Sequence, residues 1–144
     1  MCIRDSYDTG HFLGLGSVYN SHVGRHGELQ QLFFDCTFSI MGFIAKADGR
    51  VSQREIQFAE QVMLQMQLTG VRRERAISQF TQGKSASFDY QMVLSQLRGA
   101  CRFQPALLRT FLDIQIRVAN VNGKMSPVTT EALRRVFLLS LIHI

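Results

Sequence analysis

Apolar residues recur at steps of three and four along most of this chain, separated by short polar turns. From Glu28 onward, Leu29, Phe33, Cys36, Ile40, Ile44 and Ala47 form one apolar stripe, the spacing of one helix face. Phe34, Phe38, Met41 and Phe43 widen the stripe until this first helix is apolar nearly all round, which predicts a central position. A second helix is expected over about 52–68, burying Ile56, Ala59, Val62, Met63 and Met66 with its Gln and Glu residues outward. Thr69-Gly70 breaks the pattern, and 71–83 reads as a third helix carrying Val71, Ala76, Ile77 and Phe80. After a loop at 83–87, a fourth helix over about 88–102 is expected to turn Phe88, Met92, Leu97 and Cys101 inward. Gln104-Pro105 opens a fifth, with Leu108, Phe111, Leu112, Gln115, Val118 and Ala119 inside. A sixth begins at Pro127 and is expected to be interrupted near residue 139.

The pattern also repeats. Ala45, Asp48, Gly49, Val51 and Ser52 correspond to Ala119, Asn122, Gly123, Met125 and Ser126 at one constant offset. The same offset relates Phe34 to Leu108, Phe38 to Leu112, Ile44 to Val118, Val62 to Val136 and Met63 to Phe137. A single offset shared by polar and apolar positions marks an internal repeat, here two helix–turn–helix hairpins. Each turn has a local cause. Asp48-Gly49 and Asn122-Gly123 supply a glycine able to take the left-handed conformation that ends a helix. Ser52 then caps the next helix, with Glu55 three residues on as the acid of a capping box. In the second copy Ser126 caps, Pro127 takes the first helical position, where its missing N–H costs nothing, and Thr129 stands in place of Glu55.

Composition agrees with an all-α chain forming one compact bundle of about six helices. At 144 residues, 46% of them hydrophobic and 19% charged, the chain suits a single core and is no disordered segment. The net charge of +5 and pI near 9.6 allow an anionic partner. However, the arginines are spread over several helices, which describes a solvated basic surface near an anionic membrane rather than a nucleic-acid interface. Arg72, Arg73 and Arg75 read the same way, as a solvated face. Cys2, Cys36 and Cys101 form no ligand-spaced set, and an odd count without a signal peptide fits a reducing compartment.

Candidate chemistry is sparse. Asp48-Gly49-x-Val51-x-x-x-Glu55 matches the second half of an EF-hand loop, but Ile44 and Lys46 then fall at the first and third ligand positions, where oxygen is required. Val118, Asn120 and Thr129 make the second copy poorer still. Helix capping accounts for the same residues, leaving Asp48 and Glu55 as weak metal candidates and no cofactor site. His11, His22, His26 and His143 lie in the linker or tail, away from any acid or thiol, so no catalytic set forms and no enzyme is expected. Asp35 and Asp113 sit on the two central helices, placed outward or paired with Arg109 or Arg117.

The ends read differently. Residues 1–6 and 139–144 resemble translated sequencing adapter and are set aside from fold reasoning. Residues 10–27 are glycine-rich; Gly10 and Gly14 have the spacing of closely packed membrane helices, but the stretch falls short of the roughly 20 apolar residues of a span. The expected organisation is therefore 1–27 as adapter-derived start and juxtamembrane linker, 28–138 as helical domain and 139–144 as adapter-derived tail.

The run from Phe33 to Ile56, FFDCTFSIMGFIAKADGRVSQREI, resembles the TerB-like domain of the DnaJ-like membrane co-chaperones of the DjlA family. The stretches 63–68, 80–84, 97–101 and 111–116 are similar to the same family, which extends the resemblance over roughly 28–137. It implies a TerB-like fold preceded by a glycine-spaced membrane helix and followed by a J domain that stimulates an Hsp70 ATPase. No His-Pro-Asp occurs in this sequence. The implied role is a non-catalytic regulatory or protein-binding module of a co-chaperone at the cytoplasmic face of the bacterial inner membrane. Its implied partners are client proteins or its own copies, with the Hsp70 system engaged through the missing J domain and no nucleic acid. The alternative is a stand-alone TerB-like stress-response module that senses metal or membrane through its polar turns.

Overall fold

The structure is a computed structural model that describes residues 27–141. The Gly10–Gly27 linker before Gly27, the adapter-like residues 1–6 and 142–144, Cys2 and all four histidines lie outside the described residues. The described residues form α1 (Gly27–Lys46), α2 (Gln53–Gln65), α3 (Gly70–Gly83), α4 (Tyr90–Ala100), α5 (Pro105–Ala119) and α6 (Pro127–Leu141), with no strand among them.

Helix α1 is the axis of the bundle. From Phe33 to Ala45 nearly every residue is buried, with Phe33, Phe38, Ile40, Met41 and Ile44 wholly out of solvent. Burying each such side chain contributes about 1.5–3 kcal/mol. Glu28 in the first turn and Lys46 in the last complement the helix dipole. Helix α3 packs along one flank of α1, α5 along another, and α4 and α6 close the remaining side, while α2 touches both α1 and α5.

Two glycines set the α1–α3 spacing. A β-carbon on Gly42 would overlap the Phe80 carbonyl oxygen, and one on Gly83 would overlap that of Ser39. The two backbones therefore meet directly at this crossing. Across the α1–α5 contact, Gln115 is fully buried and its Nε2 donates to the Thr37 carbonyl at 3.2 Å. Gln115 Oε1 and the Thr37 hydroxyl have no hydrogen-bond partner among the described residues, so this polar contact fixes register more than it adds stability.

The sequence placed several side chains differently. Helix α4 starts at Tyr90 rather than 88, because Asp89 Oδ1 accepts the Met92 N–H at 3.1 Å and caps it there. Leu97 and Cys101 face inward as expected, joined by Leu94, but Met92 lies outside, 54% exposed. On α3 the inner stripe is Ala76, Phe80 and Gly83, whereas Val71 and Ile77 are exposed. Glu55, expected outward on α2, is buried. Helix α6 is not interrupted at 139: it continues to Leu141, with Leu139 against the core and the Ser140 hydroxyl donating to the Val136 carbonyl at 2.6 Å.

The arginines at the start of α3 are not merely solvated. Arg75 makes a two-pronged pair with Asp35 of α1, at 3.0 and 2.7 Å. Arg72 lies over the Phe34 ring at 5.5 Å and donates to Gln30, and Arg73 stands 3.9 Å from Glu60 of α2. Asp35 thus pairs across helices, while Asp113 pairs within its own helix with Arg117 at 2.7 Å.

Candidate functional site

The two polar turns that mark the repeat lie against each other. Ser52 Oγ donates to Asn122 Oδ1 at 3.1 Å, linking the first turn to the second. Their backbones correspond bond for bond. The Gly49 N–H reaches the Lys46 carbonyl and the Gly123 N–H that of Asn120, each at 2.9 Å. Both glycines have positive φ, 106° and 94°, the region where a side chain is strained. Ser52 Oγ accepts the Glu55 N–H at 3.1 Å while a Glu55 carboxylate oxygen accepts the Ser52 N–H at 2.7 Å. In the second copy Ser126 Oγ accepts the Thr129 N–H at 3.1 Å and donates to the Thr129 hydroxyl at 3.0 Å, and Pro127 opens α6. A hydroxyl thus closes the second turn where a carboxylate closes the first.

The carboxylates of this region are committed elsewhere. Burial pushes the Glu55 carboxyl above its ordinary 4.5; its bonds with Ser52 pull the other way and Asp48 adds to the rise. Asp48 is exposed and accepts a long bond, 3.5 Å, from the Arg50 N–H. Among the described residues no three His, Cys, Asp or Glu side chains gather as a ligand set. The thiols of Cys36 and Cys101 are buried; burial, first of all, pushes them up to about 12 and about 11, which leaves almost no nucleophilic thiolate at neutral pH.

Beside the first turn opens a cleft of about 450 Å³ that the sequence did not reveal. Phe43, Lys46 and Ala47 from the end of α1 form one wall, and Gly83, Lys84, Ser85, Ala86, Phe88 and Tyr90 form the other. Phe43 stacks on Tyr90 at 4.6 Å and tilts against Phe88 at 6.0 Å. The 84–89 loop is tied down by Ser85 Oγ, which meets both the Ser87 hydroxyl and the Ser87 N–H, and by the Asp89 cap. Lys46 and Lys84 are the only charged residues in the lining. Only the Gly83-Lys84 break at the end of the third helical pattern hinted at this cleft; joining it to Lys46 requires the tertiary fold.

A family model described as "Tellurite resistance protein TerB" matches residues 36–143. The chain belongs to the TerB family. Its helical bundle, and the turn pair within it, are thus the TerB-like domain of this chain. Curated relatives carry a second name. A protein of Coxiella burnetii called "Co-chaperone protein DjlA" is 47% identical over 118 residues, 82% of this chain and 44% of the relative. Its namesake in Legionella pneumophila is 42% identical over 129 residues, 86% of this chain and 43% of the relative. That of Haemophilus ducreyi is 39% identical over 111 residues, 77% and 39% respectively. The chain therefore spans less than half the length of these relatives. No solved structure matches it.

Proposed function

We propose that this TerB-like domain is a non-catalytic, protein-binding module of a membrane-anchored J-domain co-chaperone, the J domain lying outside these 144 residues. The single observation that carries the reading is the 47% identity, over most of this chain, to a relative named as a co-chaperone. The module contacts client proteins or a second copy of itself, and the Hsp70 system is engaged by the J domain of the parent. The parent sits at the cytoplasmic face of the inner membrane, where a net charge of +5 favours an anionic leaflet. Among the described residues no helix is long and apolar enough to cross a membrane.

The test is direct. Added alone to Hsp70 and ATP, the chain should leave ATP turnover unchanged. In sedimentation velocity it should bind a permanently unfolded protein, such as reduced carboxymethylated lactalbumin, or associate with itself. Stimulated turnover, or the absence of both kinds of association, would overturn the proposal. The parent gene should also encode an apolar span upstream and a His-Pro-Asp helical domain downstream.

A further inference from the structure

We propose that the cleft between the end of α1 and the α3–α4 loop docks an acidic, apolar segment of a partner protein. Phe43, Phe88 and Tyr90 take an apolar side chain, and Lys46 and Lys84 pair with the carboxylates beside it. This deepens the protein-binding reading and rests on it.

Three observations converge on that occupant. The volume, about 450 Å³, lies in the range of clefts that enclose a ligand. The three rings are partly buried and line both walls of the cleft, so they suit an inserted side chain better than a flat membrane surface. The charge is one-sided. Lys46 and Lys84 line the cleft, no acid does, and neither ammonium has a carboxylate partner among the described residues. Lys84 Nζ lies 5.7 Å from the centre of the Phe80 ring, a contact that brings no countercharge. The acids nearest in sequence are Asp48, two residues from Lys46, which accepts the Arg50 N–H, and Asp89, five from Lys84, which accepts the Met92 N–H. Two lysines without a carboxylate partner, lining one cleft with three aromatic rings, are complementary to an anionic, apolar segment. The stacked rings and the tied loop mean that little ordering remains to oppose binding.

The test uses the full chain and a short synthetic peptide with Phe-Leu flanked by glutamates on both sides, against a lysine-flanked control. The acidic peptide should shift the backbone amide signals of residues 43–47 and 83–90, and its binding should weaken with salt. K46E/K84E should weaken it by about tenfold or more, whereas R109E, an exposed charge reversal on α5, should bind as the unaltered chain does. Should K46E/K84E lose its helical circular dichroism, the neutral pair K46Q/K84Q carries the test with a smaller expected loss. Equal binding of the lysine-flanked control, shifts mapped elsewhere, or undiminished binding by the charge-altered variants would overturn the proposal. So would self-association, or co-sedimentation with phosphatidylglycerol vesicles, that K46E/K84E abolishes in a chain unable to bind the peptide. Retention of the unfolded client by K46E/K84E would sink the cleft and spare the broader protein-binding reading. Failure of the unaltered chain to bind client, peptide or itself would remove both.

Discussion

Gln67 is the one residue whose backbone conformation disagrees with its side chain. It has φ of 60°, the only non-glycine with positive φ among the described residues. It sits there because α2 ends in a Schellman motif: the Leu68 N–H reaches the Met63 carbonyl and the Gln67 N–H that of Leu64. Leu68 and Met63, both buried, supply the accompanying apolar contact. A β-carbon in the left-handed region costs roughly 1–2 kcal/mol, part of which glycine's greater unfolded entropy would offset. Gln67→Gly should therefore raise stability by about 0.5–1 kcal/mol in denaturant titration; a loss would mean that the side chain contributes something the backbone does not reveal. Glu55 makes a second test at this scale. Burial raises its carboxyl, so the folded state holds the proton more tightly than the unfolded one. The stability this contributes is complete below pH 4.5 and is lost as pH rises through the raised value. Glu55→Gln can still accept the Ser52 N–H, and its melting temperature should fall less across that window. A loss at neutral pH above about 1 kcal/mol, the usual worth of a cap, would show that the negative charge itself is needed.

Between elements, the α1–α3 crossing and the open face of α4 predict opposite responses to one chemical change. Gly83→Ala drives a methyl group into the Ser39 carbonyl of a packed helix and should cost at least about 1–3 kcal/mol. At Gly99 nothing lies within 4 Å of an added β-carbon, so Gly99→Ala should gain about 0.5–1 kcal/mol from helix propensity. Thermal melts of the two variants moving in the same direction would refute the crossing geometry. The contrast marks where the sequence speaks and where it is silent. The buried face of α1, with Phe33, Phe38 and Ile44 inside, was legible because periodicity within a helix records which side meets the core. The helix ends at Gly49 and Gly123 were legible because turn chemistry is local. Met92 was misplaced because it stands five residues before Leu97, roughly 140° round the helix from it, whereas Leu94, Leu97 and Cys101 share the buried face. Arg75 on Asp35, Gly83 on Ser39, and Lys46 and Lys84 lining one cleft are meetings of distant segments. No spacing along the chain encodes them, so the cleft had no signature in the sequence.

For the molecule as a whole, the repeat is also a division of labour. Helices α1 and α2 form one hairpin, α5 and α6 the other, and the central contact joins α1 to α5 through Thr37 and Gln115. Neither hairpin can cover the apolar faces of its own central helix, because those faces are completed from the opposite copy and from α3 and α4. Cleaving the chain in the 101–104 turn should give fragments 1–102 and 103–144 that are weakly helical apart and recover a cooperative melt when mixed. Independent folding of either fragment would contradict the shared core. The Ser52–Asn122 bond also shows how far the two halves differ. An exact two-fold relation would pair Ser126 with Asp48 as Ser52 pairs with Asn122, yet the Ser126 hydroxyl donates to Thr129 and Asp48 accepts the Arg50 N–H. Thr129 opposite Glu55, and Pro127 opposite Gln53, are further positions at which the copies are not interchangeable.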